Sequence, residues 1–481
     1  MARNTYRRKG EAQNRALLVG AAIIIAIIVL AAAYFFLTQP AEEGEAVEEA
    51  RETEETPAAT ETETTPVETT PEETTPEEKP KIIWASTQLV PAEEQKFVKD
   101  ELLPGFVEET GIEVEFVGIS YGDLTIRMQS EQESGEVTIS LIADLHGGLD
   151  LFASNGWLED LSKFGALEGR EFPQVLEDYS SLYGIKAYVP WLTATYVFVV
   201  NKEAFNYLPP GLTMEDVMTG SDKWTYEALL EWARNIEAAT GSKPLGFPAG
   251  PKGLFHRFLH GYVYPSFTGA QVKNFDSPEA IEMWNYLEEL WQYVNPQSTV
   301  YDAMASPLLK GEVLIAWDHT ARIKDAIIER PEDFVVVPAP AGPKGRGYIL
   351  VIVGLAIPKN APNQDAAWQL IEYLTRPEIQ RLILERVGFF PAVTGVAEEL
   401  PAGPLKVLAQ GVGNQLDTPD SLVALIPSLG AKGGEFSTTY REAFKAIVLE
   451  GKNPEDVLPD LKQYLLGLFQ EAGAKLPPPD E

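Results

Sequence analysis

Along this chain the apolar positions switch between two repeats, one of two residues and one of between three and four. Ile82-Ile83-Trp84-Ala85-Ser86 is short and β-rich and opens into a polar loop, which predicts a strand. A helix is predicted over 92–110, closed by Gly111. EVEFVGI at 113–119 alternates as a second strand, a helix follows over 124–134, and 137–142 predicts a third strand running into Asp144-Leu145-His146-Gly147-Gly148. Strand and helix alternate at the spacing of βαβ units, so the class is α/β with a largely parallel sheet. Ligands of such sheets bind beyond the carboxyl ends of the strands, here the loops carrying Trp84, Tyr121 with Asp123, and Asp144 with His146.

The stretch AYVPWLTATYVFVVNK at 187–202 organises the rest. Tyr196 to Val200 is continuously apolar, as in a strand buried on both faces. Trp191 precedes it where the chain bends after Pro190, so its ring either packs under a loop or faces a ligand cleft. Beyond it, Thr225 and Ser277 read as N-caps of two amphipathic helices, whose Trp232, Trp284 and Trp291 are expected in the core. GEVLIAW at 311–317 predicts a strand ending in Trp317-Asp318-His319, 334–337 another, and 348–357 an apolar strand that crosses back. An N-capped helix is expected over 363–375, and the C-terminal third is mostly helical.

Composition adds a location. Arg3, Arg7, Arg8, Lys9 and Arg15 precede an uncharged run over 16–37 that is about long enough to span a bilayer, with residues 1–15 expected in the cytoplasm. Lys9-Gly10 resembles archaeal pilin-like signals cut after the glycine, and such a cut would leave the apolar run attached. Residues 38–80 are rich in Glu, Thr and Pro, with a five-residue Thr-Thr-Pro repeat, and predict a disordered, extended stalk. The net charge of −34 argues against nucleic acid as a partner, and with no cysteine there is no disulfide framework or thiolate chemistry. No metal or cofactor motif is evident.

Two catalytic look-alikes need weighing. Gly118-Ile119-Ser120-Tyr121-Gly122 fits a nucleophile elbow and His146-Gly147-Gly148 an oxyanion loop, but their order is the reverse of an α/β-hydrolase. His146, His256, His260 and His319 lack metal-site spacing. An enzyme is therefore not expected, although a surface hydrolase is the rival class to a binding protein.

The order and spacing of four stretches carry a family resemblance: IADLHGGLDLFASNGWLEDLS, YVPWLTATYVFVVNKEAF, LLKGEVLIAWDHTARI, and the segment from VPAPAGPKGRGY through LTRPEIQ. Over residues 81–475 the chain resembles the extracellular solute-binding proteins of ABC importers, the sugar-binding family that includes maltose-binding protein. The anchor and stalk look like its archaeal members. The resemblance implies a two-lobed periplasmic-binding-protein fold (type II), preceded by a transmembrane helix. Lobe one would hold 81–190 plus 352–396, and lobe two 191–351 plus 397–476.

It also implies a monomer that captures a sugar or oligosaccharide and delivers it to a permease with its ATPase subunits. A polyamine, a metal chelate or another small polar solute is the alternative. By the same resemblance Trp191 moves to the cleft. Trp84, Tyr121, Trp191, Phe255, Trp317 and Tyr348 would stack on sugar C–H faces, and Asp123, Asp144, His146, Thr193, His256 and Asp318 would bond its hydroxyls.

Overall fold

Strand and helix alternate from residue 81, each of the first three β-rich runs being followed by a helix. The computed structural model describes residues 80–480 except 417 and 428. The expected basic segment, anchor and stalk, up to residue 79, lie outside the described residues. Among the described residues no helix is long and apolar enough to cross a membrane.

Lys81–Ser86 (β1), Glu113–Gly118 (β2) and Leu141–Leu145 (β3) lie side by side and parallel, with β1 in the middle. The third strand starts four residues later than 137, where its apolar run begins. Between β2 and β3 runs the helix Tyr121–Ser134, with Ser120 as N-cap and Gly135 at φ 76° ending it, a conformation that favours glycine. A small hairpin, Ser181–Leu182 (β4) and Ile185–Lys186 (β5), precedes the central stretch.

Val189–Ala194 (β6) and Tyr196–Asn201 (β7) are two strands, not a bend and a strand. Val351–Ala356 (β12) inserts antiparallel between β3 and β6, and Phe390–Pro391 (β13) closes that edge. The first sheet is therefore mixed, correcting the largely parallel expectation. The reason is topological: β6 leaves this sheet and β12 returns to it, so the two run in opposite directions.

The second sheet has the order β10-β7-β9-β8. It is built from Leu245–Gly246 (β8), Ile315–His319 (β9) and Phe334–Val337 (β10), with β7. Arg346–Ile349 (β11) pairs in parallel with Ser421–Ala424 (β14). The chain thus changes sheets at Thr195 and again at Leu350, each a single residue between two strands. Alternation decides which face each residue covers. In β7, Val197 and Val199 face one core and Phe198 and Val200 the other, so the strand is buried on both sides. The expected cap of the helix Gln364–Leu374 is corrected, since Asn363 sits at φ 54° and its amide donates to Lys81 O at 2.8 Å.

The tryptophans divide differently from the expectation. Trp232 and Trp284 are fully buried on helix faces, with their indole N–H groups on Ala204 O and the Tyr264 hydroxyl, both at 2.8 Å. Trp191 and Trp84 are equally buried and meet edge to face at 5.5 Å, with Phe116 at 4.9 Å from Trp84. Pro190 is tolerated within β6 because the pairing with β12 slips there, Leu192 facing Val353 and Pro190 facing Gly354. Trp191 is the extra residue of this bulge, and its ring turns into the first lobe's core.

Trp317 stacks on Tyr196 at 4.9 Å in the second lobe's core. Phe255, among Phe247, Phe258 and Phe444, and Tyr348 are buried there too. For these five residues the expected stacking on a ligand is corrected to packing: the apolar neighbours that cover each ring leave no face open.

Replacing Trp191 by Ala removes a fully enclosed ring and should lower the free energy of urea unfolding by ~3–5 kcal/mol. A loss under about 1 kcal/mol would mean that the ring is not packed as described. Thr195→Val keeps the shape but strips the hydroxyl from Ile349 O and Gln415 Nε2. Unfolding should then cost about 1–3 kcal/mol less in the same titration.

Candidate binding cleft

The carboxyl ends of β1, β2 and β3 open on one side of the first lobe into Thr87–Val90, Ile119–Tyr121 and Asp144–Gly148. Facing them from the second lobe are Arg257, Ile426 and Phe436, and together they enclose a cavity of about 400 Å³. A second, of about 590 Å³, shares Thr87, Leu145, Arg257 and Ile426 and extends to Glu94, Tyr196, His319 and Arg322. A third, of about 480 Å³, shares Gly147, Ile426 and Pro427 and extends past His146 to Tyr179 and Lys475. Ile426 lines all three, so they adjoin one another.

Asp144 is the most specifically held group in its wall. It is 1% exposed, and Oδ1 accepts from the Thr87 hydroxyl and from the Leu145 N–H at 2.8 Å. Oδ2 has no partner. Burial pushes its carboxyl up to about 7, against the two hydrogen bonds that favour the charged form. Gly148 is required beside it, because a Cβ there would lie 1.9 Å from Oδ2.

Asp318 repeats the arrangement in the second lobe. It is buried at the end of β9, accepts from the Met304 and His319 N–H groups at 2.9 and 2.7 Å, and is also pushed up to about 7 by burial. Burial likewise pulls the His146 ring down to about 4 and the His319 ring, beside Arg322 and Arg257, to about 3, so both are neutral. His146 Nδ1 lies 2.9 Å from the Tyr188 hydroxyl.

Of the twelve residues expected to contact ligand, Tyr121, Asp144 and His146 line the cleft. The others do not. Asp123 is exposed and completes the helix cap, accepting from the Ser120 hydroxyl at 2.6 Å. That bond also occupies the serine of the elbow-like motif. Thr193 lies within β6, paired with Ile352 and Phe390. His256 is buried behind the wall, with Nδ1 accepting from Arg441 at 3.0 Å, and burial and the nearby guanidinium groups hold it well below the usual range. Asp318 serves backbone N–H groups. Trp84, Trp191, Phe255, Trp317 and Tyr348 are in the cores described above.

Thr87, Arg257, Ile426 and Phe436 were not anticipated. Thr87 had a signal, since it directly follows the first strand. Ile426 had none, because it reaches the cleft only through the pairing of β14 with β11.

The sequence matches the family model described as bacterial extracellular solute-binding protein over residues 85–381. No curated protein matches the chain. Among solved structures, the sugar-binding protein MalE of Xanthomonas citri is similar at 18% identity, covering 81% of this chain and 98% of its own, with a TM-score of 0.64. The maltose-bound MalE3 of T. maritima is similar at 20% identity, covering 81% and 99%, with a TM-score of 0.61. UgpB of Mycobacterium tuberculosis, in complex with glycerophosphocholine, is similar at 17% identity, covering 82% and 99%, also at 0.61. These likenesses identify the fold as the two-lobed α/β fold of periplasmic binding proteins. The family match spans more than half of the chain, and the protein belongs to the bacterial extracellular solute-binding protein family.

Proposed function

We propose that this solute-binding protein captures a sugar or oligosaccharide between its lobes, as a monomer, and hands it to a permease driven by ATPase subunits. It works outside the cell, held by the apolar run at 16–37 and kept off the membrane by the stalk at 38–80, in the manner of archaeal members of the family. The observation that carries the reading is the set of adjoining cavities at the ends of β1, β2 and β3, with residues of the second lobe facing them. Its walls combine apolar and aromatic surface, from Tyr121, Ile426 and Phe436, with hydroxyl-bonding groups from Thr87, Gln88 and Asp144. A sugar has the matching pair of features, C–H faces and fixed hydroxyls. The Asp144 carboxyl, held by Thr87 and the Leu145 N–H, is a fixed polar group in that wall. The sugar-binding relatives named above have the same fold.

Single-residue exchange points at Thr195 and Leu350 suit a hinge, and a ligand that touches both lobes favours the closed state by its differential affinity for it. Because the chain has no cysteine, Glu108→Cys and Glu231→Cys can be spin-labelled cleanly, one in each lobe. Their distance should shorten when a sugar that raises the melting temperature is added at saturation. An unchanged distance would count against closure. Asp144→Ala should weaken binding of that sugar roughly two- to tenfold, as expected for the loss of one ordinary hydrogen bond at the wall.

Asp318 makes a separate prediction about pH. Its folded value of about 7 lies above the ordinary 3.8, so between them the folded state keeps a proton that the unfolded chain has released. Its stabilising contribution is full below the ordinary value and is lost as pH rises to about 7. Asp318→Asn does not titrate, so its stability relative to wild type should rise across that window and level off above it. Parallel urea titrations at a series of pH values give the comparison.

A further inference from the structure

Arg257, in the wall of the cleft, has no counter-ion among the described residues. It is half-buried and lines both the 400 Å³ and the 590 Å³ cavities. Its Nη1 donates to His260 Nε2 at 3.2 Å, and its other partner is the Tyr196 hydroxyl.

The acceptor at His260 is fixed from behind. The Gln271 amide nitrogen donates to Leu425 O at 3.1 Å and Pro478 O at 2.6 Å, which leaves Gln271 Oε1 to accept from His260 Nδ1 at 2.9 Å. The ring therefore carries its proton on Nδ1 and presents a lone pair at Nε2 to the guanidinium. Burial, then the charge of Arg257 itself, hold His260 well below its usual range. Asp480 anchors the same segment, accepting from the Val272 and Lys273 N–H groups at 3.1 and 2.6 Å. The guanidinium is thus aimed by neutral groups that leave its charge uncompensated.

In the two cavities that Arg257 lines, the other charges do not supply the missing partner. In the 400 Å³ cavity the one carboxylate among the lining residues is Asp144, and burial disfavours its charged form. In the 590 Å³ cavity Glu94 lies near Lys324, Arg386 is paired with Glu101 at 2.7 Å, and Glu93 is exposed. Arg322 donates to the carbonyls of Asp302 and Lys252 and forms no ion pair either. The helix His146–Ser154, whose Gly147 and Gly148 line the smaller cavity, has no side-chain cap and no acidic residue in its first turn, so its positive end faces the same space. This wall belongs to a chain of net charge −34. A desolvated, unpaired guanidinium is destabilising unless a ligand brings the opposite charge.

We propose that the captured saccharide is acidic, carrying a carboxylate or phosphate group that pairs with Arg257. The inference rests on the sugar-binding reading above and names the class of sugar. The test is calorimetric titration of the full chain in detergent with trigalacturonic acid and its neutral methyl ester, and with glucose 1-phosphate and glucose.

At least one acid should bind about tenfold or more tightly than its neutral twin, since charge-assisted bonds are roughly twice as strong as neutral ones. Which pair shows the preference distinguishes carboxylate from phosphate. Arg257→Gln should abolish that preference, Arg257→Lys should retain part of it, and the ligand-free Arg257→Gln protein should melt at or above the wild-type temperature. Equal binding of acid and neutral twin in both pairs, or an unchanged preference in Arg257→Gln, would overturn the inference and leave the sugar reading intact. Binding of no saccharide, neutral or acidic, would remove both.

Discussion

Two strands of this protein change sheets at the same level, and the molecule depends on how their backbone groups are satisfied there. A strand that leaves one sheet and enters another must drop its ladder partners for a residue, and dropped partners in a buried place are expensive. At Thr195 the hydroxyl donates to Ile349 O at 2.7 Å, joining the outgoing crossing to the returning one. Gln415, from the helix Pro404–Leu416, donates to the Thr195 hydroxyl and to Tyr196 O at 2.9 and 3.0 Å. The Tyr262 hydroxyl takes the Tyr196 N–H at 3.0 Å and returns its own proton to Tyr196 O at 2.7 Å. The Leu350 N–H goes to Ala424 O at 3.1 Å. Side chains from three separate segments thus complete a junction in which only single residues lie between the sheets.

That junction sets the position of the cleft. The first lobe presents strand ends and helix starts, and β11 with β14 brings Ile426 opposite them. The cleft is therefore built from loops that are far apart in sequence and held by elements whose own cores are buried and aromatic. The same separation explains the fate of the tryptophans. Trp84 and Trp191 lock β1 and β6 together inside one lobe, and Trp317 with Tyr196 does the same for β9 and β7 inside the other. Rings used in this way are packed inside their own lobe.

Electrostatically the cleft is unlike the surface around it. The chain as a whole is strongly acidic, whereas the wall at Arg257 is positive, and Asp144 and Asp318 are carboxyls held where water cannot solvate their charge. Asp144 and Asp318 occupy matching places, each at the end of a strand and just before a helix. Only Asp144 is next to open space, which leaves Asp318 as a structural acceptor for backbone N–H groups.

Much of this was legible in the residues themselves. The alternation in 113–119, the continuous apolar run at 196–200, and the caps Thr225, Ser277 and Gly111 act locally, through backbone conformation and through one face of a strand or helix. Their reading needs no knowledge of what lies opposite. For the same reason the strand-end loops bearing Tyr121, Asp144 and His146 pointed to the cleft. What lies across a gap was not legible. A large ring at the mouth of a strand packs inward or faces solvent according to a bulge at Pro190 or a neighbour such as Phe116, and neither is adjacent in sequence. Arg257 and Ile426 become cleft residues only because Gln271, His260 and the β11–β14 pairing place them there. Local patterning therefore determined the elements and the lobes' class, and long-range packing alone decided which side chains were left with an open face.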